Sequence, residues 1–240
     1  MSGAEVPDVP EPVPLSNVAH ELLSPLAAMR GYLELIVKDG LDHLGDRQRA
    51  HLETALINAD RLQNFIEDLI ELARIERGQA EYSPTLVSPS DILELRIRGL
   101  RKAVADADLG IRVDAGGVPP VSMDVRGVGR VVDRILNHAM QYVPKSGSLE
   151  IAVRSEGSRV TWSFFERGVV FEKEEFAQFF EPFAQPYFAD AGRRLKQGTL
   201  ALATAKKIVE FQGGKMSAEP GKDGLVIRFS LPKDGRPGAK

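Results

Sequence analysis

A chain of 240 residues with 43% apolar side chains is long enough to bury two small cores. Its 31 basic residues against 34 acidic ones leave a net charge of −3, so no nucleic-acid or acidic-membrane partner is expected from bulk electrostatics. The absence of cysteine excludes disulfides, thiolate metal sites and cysteine nucleophiles, and a cytoplasmic location is the expected one.

Residues 1–14, MSGAEVPDVPEPVP, are acidic and proline-rich, with neither the basic nor the apolar region of a signal peptide, and read as a disordered tail. Nowhere do roughly 18 apolar residues run uninterrupted, so no membrane span is expected. From Leu15 the apolar residues Leu15, Ala19, Leu22, Leu26, Met29, Leu33 and Ile36 alternate four and three apart, the seam of a helix in a bundle. Ser16 or Asn17 is the expected N-cap and Gly40 the stop, and Pro25 predicts a bend. A turn, DGLDHLGD, leads to a second helix with Leu52, Ala55, Ala59, Leu62, Ile66, Leu69 and Ala73 at the same spacing, flanked by Leu56, Phe65 and Ile70. Two such helices leave apolar stripes uncovered, so residues 15–78 predict a hairpin that forms a four-helix bundle in a homodimer.

The stretch RGQAEYSPTLVSPS breaks the heptads, and residues 79–88 read as a linker. A second domain is expected over 89–233, before a flexible tail at 234–240. Helical patterns at about 90–107, 125–141, 173–180 and 199–212 interleave with β patterns at 110–114, 149–154, 159–165, 215–218 and 225–231. Short Gly-containing turns between the late strands predict a mostly antiparallel sheet with helices on one face, an α+β sandwich.

Chemistry concentrates on the first helix. His20 follows Ala19 of the seam, so its side chain is turned by about 100° and faces solvent, where an imidazole can accept a phosphoryl group. Glu21 is beside it and can orient the ring, and Ser24, four residues on, shares its face. His43 and His51 have no comparable neighbours and read as solvated. No metal site is expected.

The segment NVAHELLSPLAAMRGYLELI resembles the phospho-acceptor box of two-component histidine kinases, in which His is followed by an acid, Leu, two variable positions and Pro-Leu; here these are His20, Glu21, Leu22, Pro25 and Leu26. The resemblance covers about residues 15–232. It implies an all-α hairpin in a dimeric four-helix bundle followed by an α+β two-layer sandwich of the histidine kinase ATPase type. It also implies His20 as phosphoryl carrier. Ser24 stands where the family usually has a Thr or Asn that positions water for hydrolysis of the partner's aspartyl phosphate, and Leu23 replaces a usual basic residue.

The resemblance fails at the nucleotide boxes. In RILNHAMQYVP the Asn that holds Mg²⁺ in the family falls on His138, its Lys on Gln141 and an earlier Asn on Arg134, while Ala139, Tyr142 and Pro144 keep the frame. The adenine-reading Asp-x-Gly-x-Gly becomes Glu166-Arg-Gly-Val-Val170, in which only Gly168 survives. The second glycine box becomes Gln197-Gly-Thr-Leu-Ala-Leu202, with Gly198 one register from its usual place and glycine lost at Thr199 and Ala201. In AQPYFADAGRRLKQ, which corresponds to the family's ATP lid, Arg193, Arg194 and Lys196 either reach an anion or solubilise a loop, and the loop reading is the expected one. Imidazole is a poor Mg²⁺ ligand, so His138, Glu166, Gly168 and Gly198 are the positions of a degenerate ATP pocket, and neither ATP nor Mg²⁺ is expected as a cofactor. A one-residue slip bringing in Asn137 or Gly198 is the competing alignment.

The expected function is a phosphotransferase or pseudokinase exchanging phosphate between His20 and response-regulator receivers, with an upstream kinase or sensor as a further partner. A divergent ATP-dependent kinase that phosphorylates its own His20, with ATP and Mg²⁺ as cofactors, is one alternative. The other is a receiver-binding regulator without chemistry.

Overall fold

The computed structural model describes residues 15–38, 44–169, 175–182 and 199–234, which divide into two compact units between Arg74 and Ile75. In the first unit the heptad runs form helix α1 (Leu15–Lys38) and helix α2 (Asp46–Glu76). Leu26, Ala59 and Ile66 are buried between them, with Leu23, Leu33 and Ile70 packed against these. Arg30 of α1 donates hydrogen bonds to Glu34 (2.8 Å) and to Gln63 of α2 (3.1 Å), and pairs with Asp60 at 3.5 Å.

The heptad seam divides. Leu26 and Leu33 face α2, but Leu22, Met29 and Ile36 are exposed, as are Tyr32 and Leu35 beside them. Two rows of apolar residues need two neighbours, and a hairpin supplies one. Ser16 and Asn17, read as caps, lie inside α1, which includes Leu15. The helix continues through Pro25. Gly40 and His43 lie outside the described residues.

The second unit is a five-stranded sheet in the order β2 (Gly110–Asp114), β4 (Ser148–Glu156), β5 (Arg159–Arg167), β7 (Gly224–Pro232), β6 (Lys215–Gly221). Only β2 and β4 run parallel. Period-two burial along β4, β5 and β7 puts Ile151, Trp162, Phe164, Ile227 and Phe229 on one face. That face shares its core with helices α3 (Pro89–Gly99), α5 (Val125–Tyr142) and α6 (Thr199–Phe211).

Two elements differ from expectation. Pro84–Val87, inside the stretch read as a linker, forms strand β1 and pairs antiparallel with β3 (Val121–Asp124), for which no strand was expected. Pro84, the first residue of β1, and Pro89 beyond its end mask the strand in the sequence, yet proline is tolerated at the start of a short strand with one partner. The helix expected at 90–107 is broken at Leu100 into α3 and α4 (Arg101–Asp106), after Gly99. A short 3₁₀ turn at Glu175–Gln178 falls inside the helix expected at 173–180. No helix among the described residues is long and apolar enough to cross a membrane.

Candidate functional site

Asp124 caps α5 by accepting the Arg126 backbone N–H at 3.1 Å. From there Val128, Val131, Val132, Ile135 and Ala139 form a helical stripe that is fully buried against the sheet. His138 belongs to this stripe, three residues after Ile135, and is 7% exposed. Asn137, one residue back, is exposed, as is Gln141. The helix therefore aims His138 inward and turns Asn137 outward.

Glu166 is near the end of β5, paired in register with Leu149 and Leu225, on the core-facing row with Trp162 and Phe164. It is fully buried. His138 Nδ1 lies 2.8 Å from one carboxylate oxygen of Glu166 and 2.9 Å from the other. With Glu166 ionised, Nδ1–H is the donor to both oxygens. The His138 ring is stacked at a tilt on Tyr142 (centroids 4.3 Å) and met edge-on by Phe179 (5.7 Å). Phe179 packs in turn on Phe176 and Phe180. Burial, and then the charge of Glu166, holds the Tyr142 hydroxyl far above its ordinary pKa.

Gly168 follows β5 with φ +82°, and its N–H donates to the Asp223 carbonyl at 2.7 Å. A Cβ there meets Pro144 Cγ at 3.2 Å. Gly168→Ala is expected to cost about 1–2 kcal/mol, read as a lower urea midpoint, because an L side chain is strained in the left-handed region.

Thr199 opens α6 and Ala201 is half-buried in it. Lys206 of α6 lies 5.1 Å from the Phe180 ring. In the first unit His20 and Glu21 are both in α1, with Ser24 exposed a turn later. The side chains of His20, Glu21 and Thr199 lie outside the described residues, as do Val170, Arg193, Arg194, Lys196 and Gly198. His51, in α2, is exposed.

The structure thus joins His138 to Glu166, which were read from separate boxes. It adds Tyr142 and Phe179 as ring neighbours, and the sequence carried a signal for the first of these, because Tyr142 is four residues from His138 on one helix.

At the two positions read as those of metal and adenine, the structure thus has an imidazole and a carboxylate bonded to each other. The carboxylate of Glu166, the hard oxygen donor at this place, is taken up by its own imidazole neighbour.

Residues 15–78 match the His Kinase A (phospho-acceptor) domain, and residues 123–235 match the histidine kinase-, DNA gyrase B- and HSP90-like ATPase domain. The chain is 28% identical over 228 residues to the non-motile and phage-resistance protein of Caulobacter vibrioides, covering 91% of this chain and 26% of that protein. It spans about a quarter of the length of that protein and of three further curated relatives, and about half the length of others. Full-length ShkA in complex with AMPPNP shares the fold at a TM-score of 0.70 and 19% identity, over 93% of this chain and 46% of that one. Histidine kinase ThkA, solved in complex with response regulator protein TrrA, does so at 0.59 and 19%, over 92% and 61%.

Proposed function

The chain belongs to the two-component histidine kinase family, and from that premise we propose that it is a phosphotransferase or pseudokinase whose His20 receives its phosphoryl group from another protein. The observation that carries this reading is the buried His138–Glu166 pair at the family's nucleotide boxes. Both positions that would hold metal and base are committed to each other, while His20, Glu21, Leu22, Pro25 and Leu26 of the acceptor box are all present.

The partner is a response-regulator receiver, as in the complex solved for ThkA. The unprotonated ring nitrogen of His20 attacks the phosphorus of the receiver's aspartyl phosphate. The N–P bond forms, the P–O bond to the carboxyl oxygen breaks, and the electron pair leaves on the aspartate. Glu21 holds the ring in the tautomer that exposes the nucleophilic nitrogen. The reverse step passes the group to a second receiver.

Purified chain mixed with a phosphorylated receiver should acquire acid-labile label; no transfer across a panel of receivers would end the proposal. The active-kinase reading has in its favour the match of residues 123–235 to an ATPase domain. Calorimetry with ATP and Mg²⁺ separates the two, and no saturable heat is expected at millimolar nucleotide; saturable binding with labelling of His20 would make the chain a kinase.

The uncovered apolar row of α1 (Leu22, Met29, Tyr32, Leu35, Ile36) and that of α2 (Ile57, Leu62, Phe65, Leu69) support a homodimer in which a second copy completes the bundle. Sedimentation at micromolar concentration should give the dimer mass, and Met29→Glu should shift it toward the monomer by at least about tenfold in Kd. A chain that is monomeric throughout would overturn this.

A further inference from the structure

One edge of the five-stranded sheet runs out of cover. Ile111 pairs in register with Leu149 and Val113 with Ile151, so both β2 residues are on the core-facing row. Ile151 is 1% exposed, whereas Val113 beside it is 48% exposed. Strand β2 pairs with β4 on one side only, and its other side carries backbone groups with no strand partner among the described residues. Next to it is a groove of about 670 Å³ whose lining includes Ile97, Val104, Leu109 and Ile111.

The uncommitted charge around this groove is positive. Arg98 is held by Glu94, but Arg101, also in the lining, has no ion-pair or hydrogen-bond partner among the described residues. On the opposite face of β2 the Arg112 side chain is 80% exposed and comes no closer than 3.8 Å to Glu150, which is already bonded to Arg167 at 3.0 Å. An apolar row that ends uncovered, an unpaired strand edge, Arg101 in the groove and an exposed Arg112 held only by a long ion pair to a shared Glu150 define one kind of occupant.

We propose that this edge accepts an extended segment of a partner protein, alternating apolar and acidic residues, as a sixth strand. The period of two puts its apolar side chains beside Ile111 and Val113 and its carboxylates beside Arg112, with a carboxylate at the segment's end, beyond the paired residues, meeting Arg101 at the groove mouth. This is independent of phosphotransfer, because the groove shares no residue with the His138–Glu166 pair or with α1.

The test is fluorescence anisotropy of a labelled alternating Val–Glu octapeptide against the full chain. Saturable binding is expected, weakened by roughly tenfold or more in Val113→Lys and in Arg101→Glu, each with an unaltered urea midpoint. An alternating Val–Lys octapeptide should bind far more weakly, and so should Ser–Glu. No saturable binding, equal binding by Val–Lys or Ser–Glu, or indifference to both substitutions would overturn the proposal. So would a loss of self-association in Val113→Lys, which would give this edge to a second copy.

Discussion

A His20→Ala chain is expected to take up no label from a phosphorylated receiver, a loss on the order of a thousandfold, the range in which removal of a nucleophile acts. Alanine keeps the helix, because it has the best helical propensity and position 20 is inside α1. The comparison that gives the result meaning is His51→Ala. That histidine is exposed on α2 and is expected to leave uptake unchanged. Retention of label in His20→Ala would move the acceptor elsewhere on the chain. Receiver binding indifferent to His20, with no transfer in either chain, would favour a regulator that docks without chemistry.

The second large effect is on stability. Glu166 is fully buried, and the donor to both its oxygens is His138 Nδ1. His138→Ala therefore leaves a carboxylate in the core without that donor, at a cost of about 3–5 kcal/mol. Replacing both partners together, as His138→Leu with Glu166→Met, removes the buried charge as well and is expected to cost no more than about 1 kcal/mol. Urea unfolding of the full chain followed by Trp162 fluorescence measures both. Trp162 is the single tryptophan, is fully buried, and stacks on Phe229 at 4.7 Å in the same core. A His138→Ala chain within about 1 kcal/mol of the unaltered one would mean that the pair does not hold this place closed.

Both experiments touch residues that the sequence already singled out, and the helical hairpin and most of the strands were legible without coordinates. The reason is periodicity. Spacings of three and four, or strict alternation, report which side of an element faces a core, and they survive in LEIAVR and RVTWSFF as plainly as in the heptads of α1. Strands β1 and β3 were not legible. Each has four residues, too few for a pattern, and PTLV lies among prolines that signal loop. The heptad seam of α1 was read correctly as apolar but not as two rows with different neighbours, since spacing says that a face is buried and not by what.

Sequence alone determined which residue types stand in the family's boxes: an intact acceptor box around His20, and imidazole and glutamate in place of a metal-binding amide and an adenine-reading aspartate. Composition at those positions left a slipped register open, with Asn137 as the ligand. Only the tertiary structure shows which of the two side chains faces the core. A helix turns successive side chains by about 100°, and burial of the stripe through Ile135 and Ala139 carries His138 inward and leaves Asn137 outside. The pairing of His138 with Glu166 was likewise beyond sequence reading, because they are 28 positions apart with strand β4 between their elements, and only the packing of α5 on β5 brings an imidazole within 2.8 Å of a buried carboxylate.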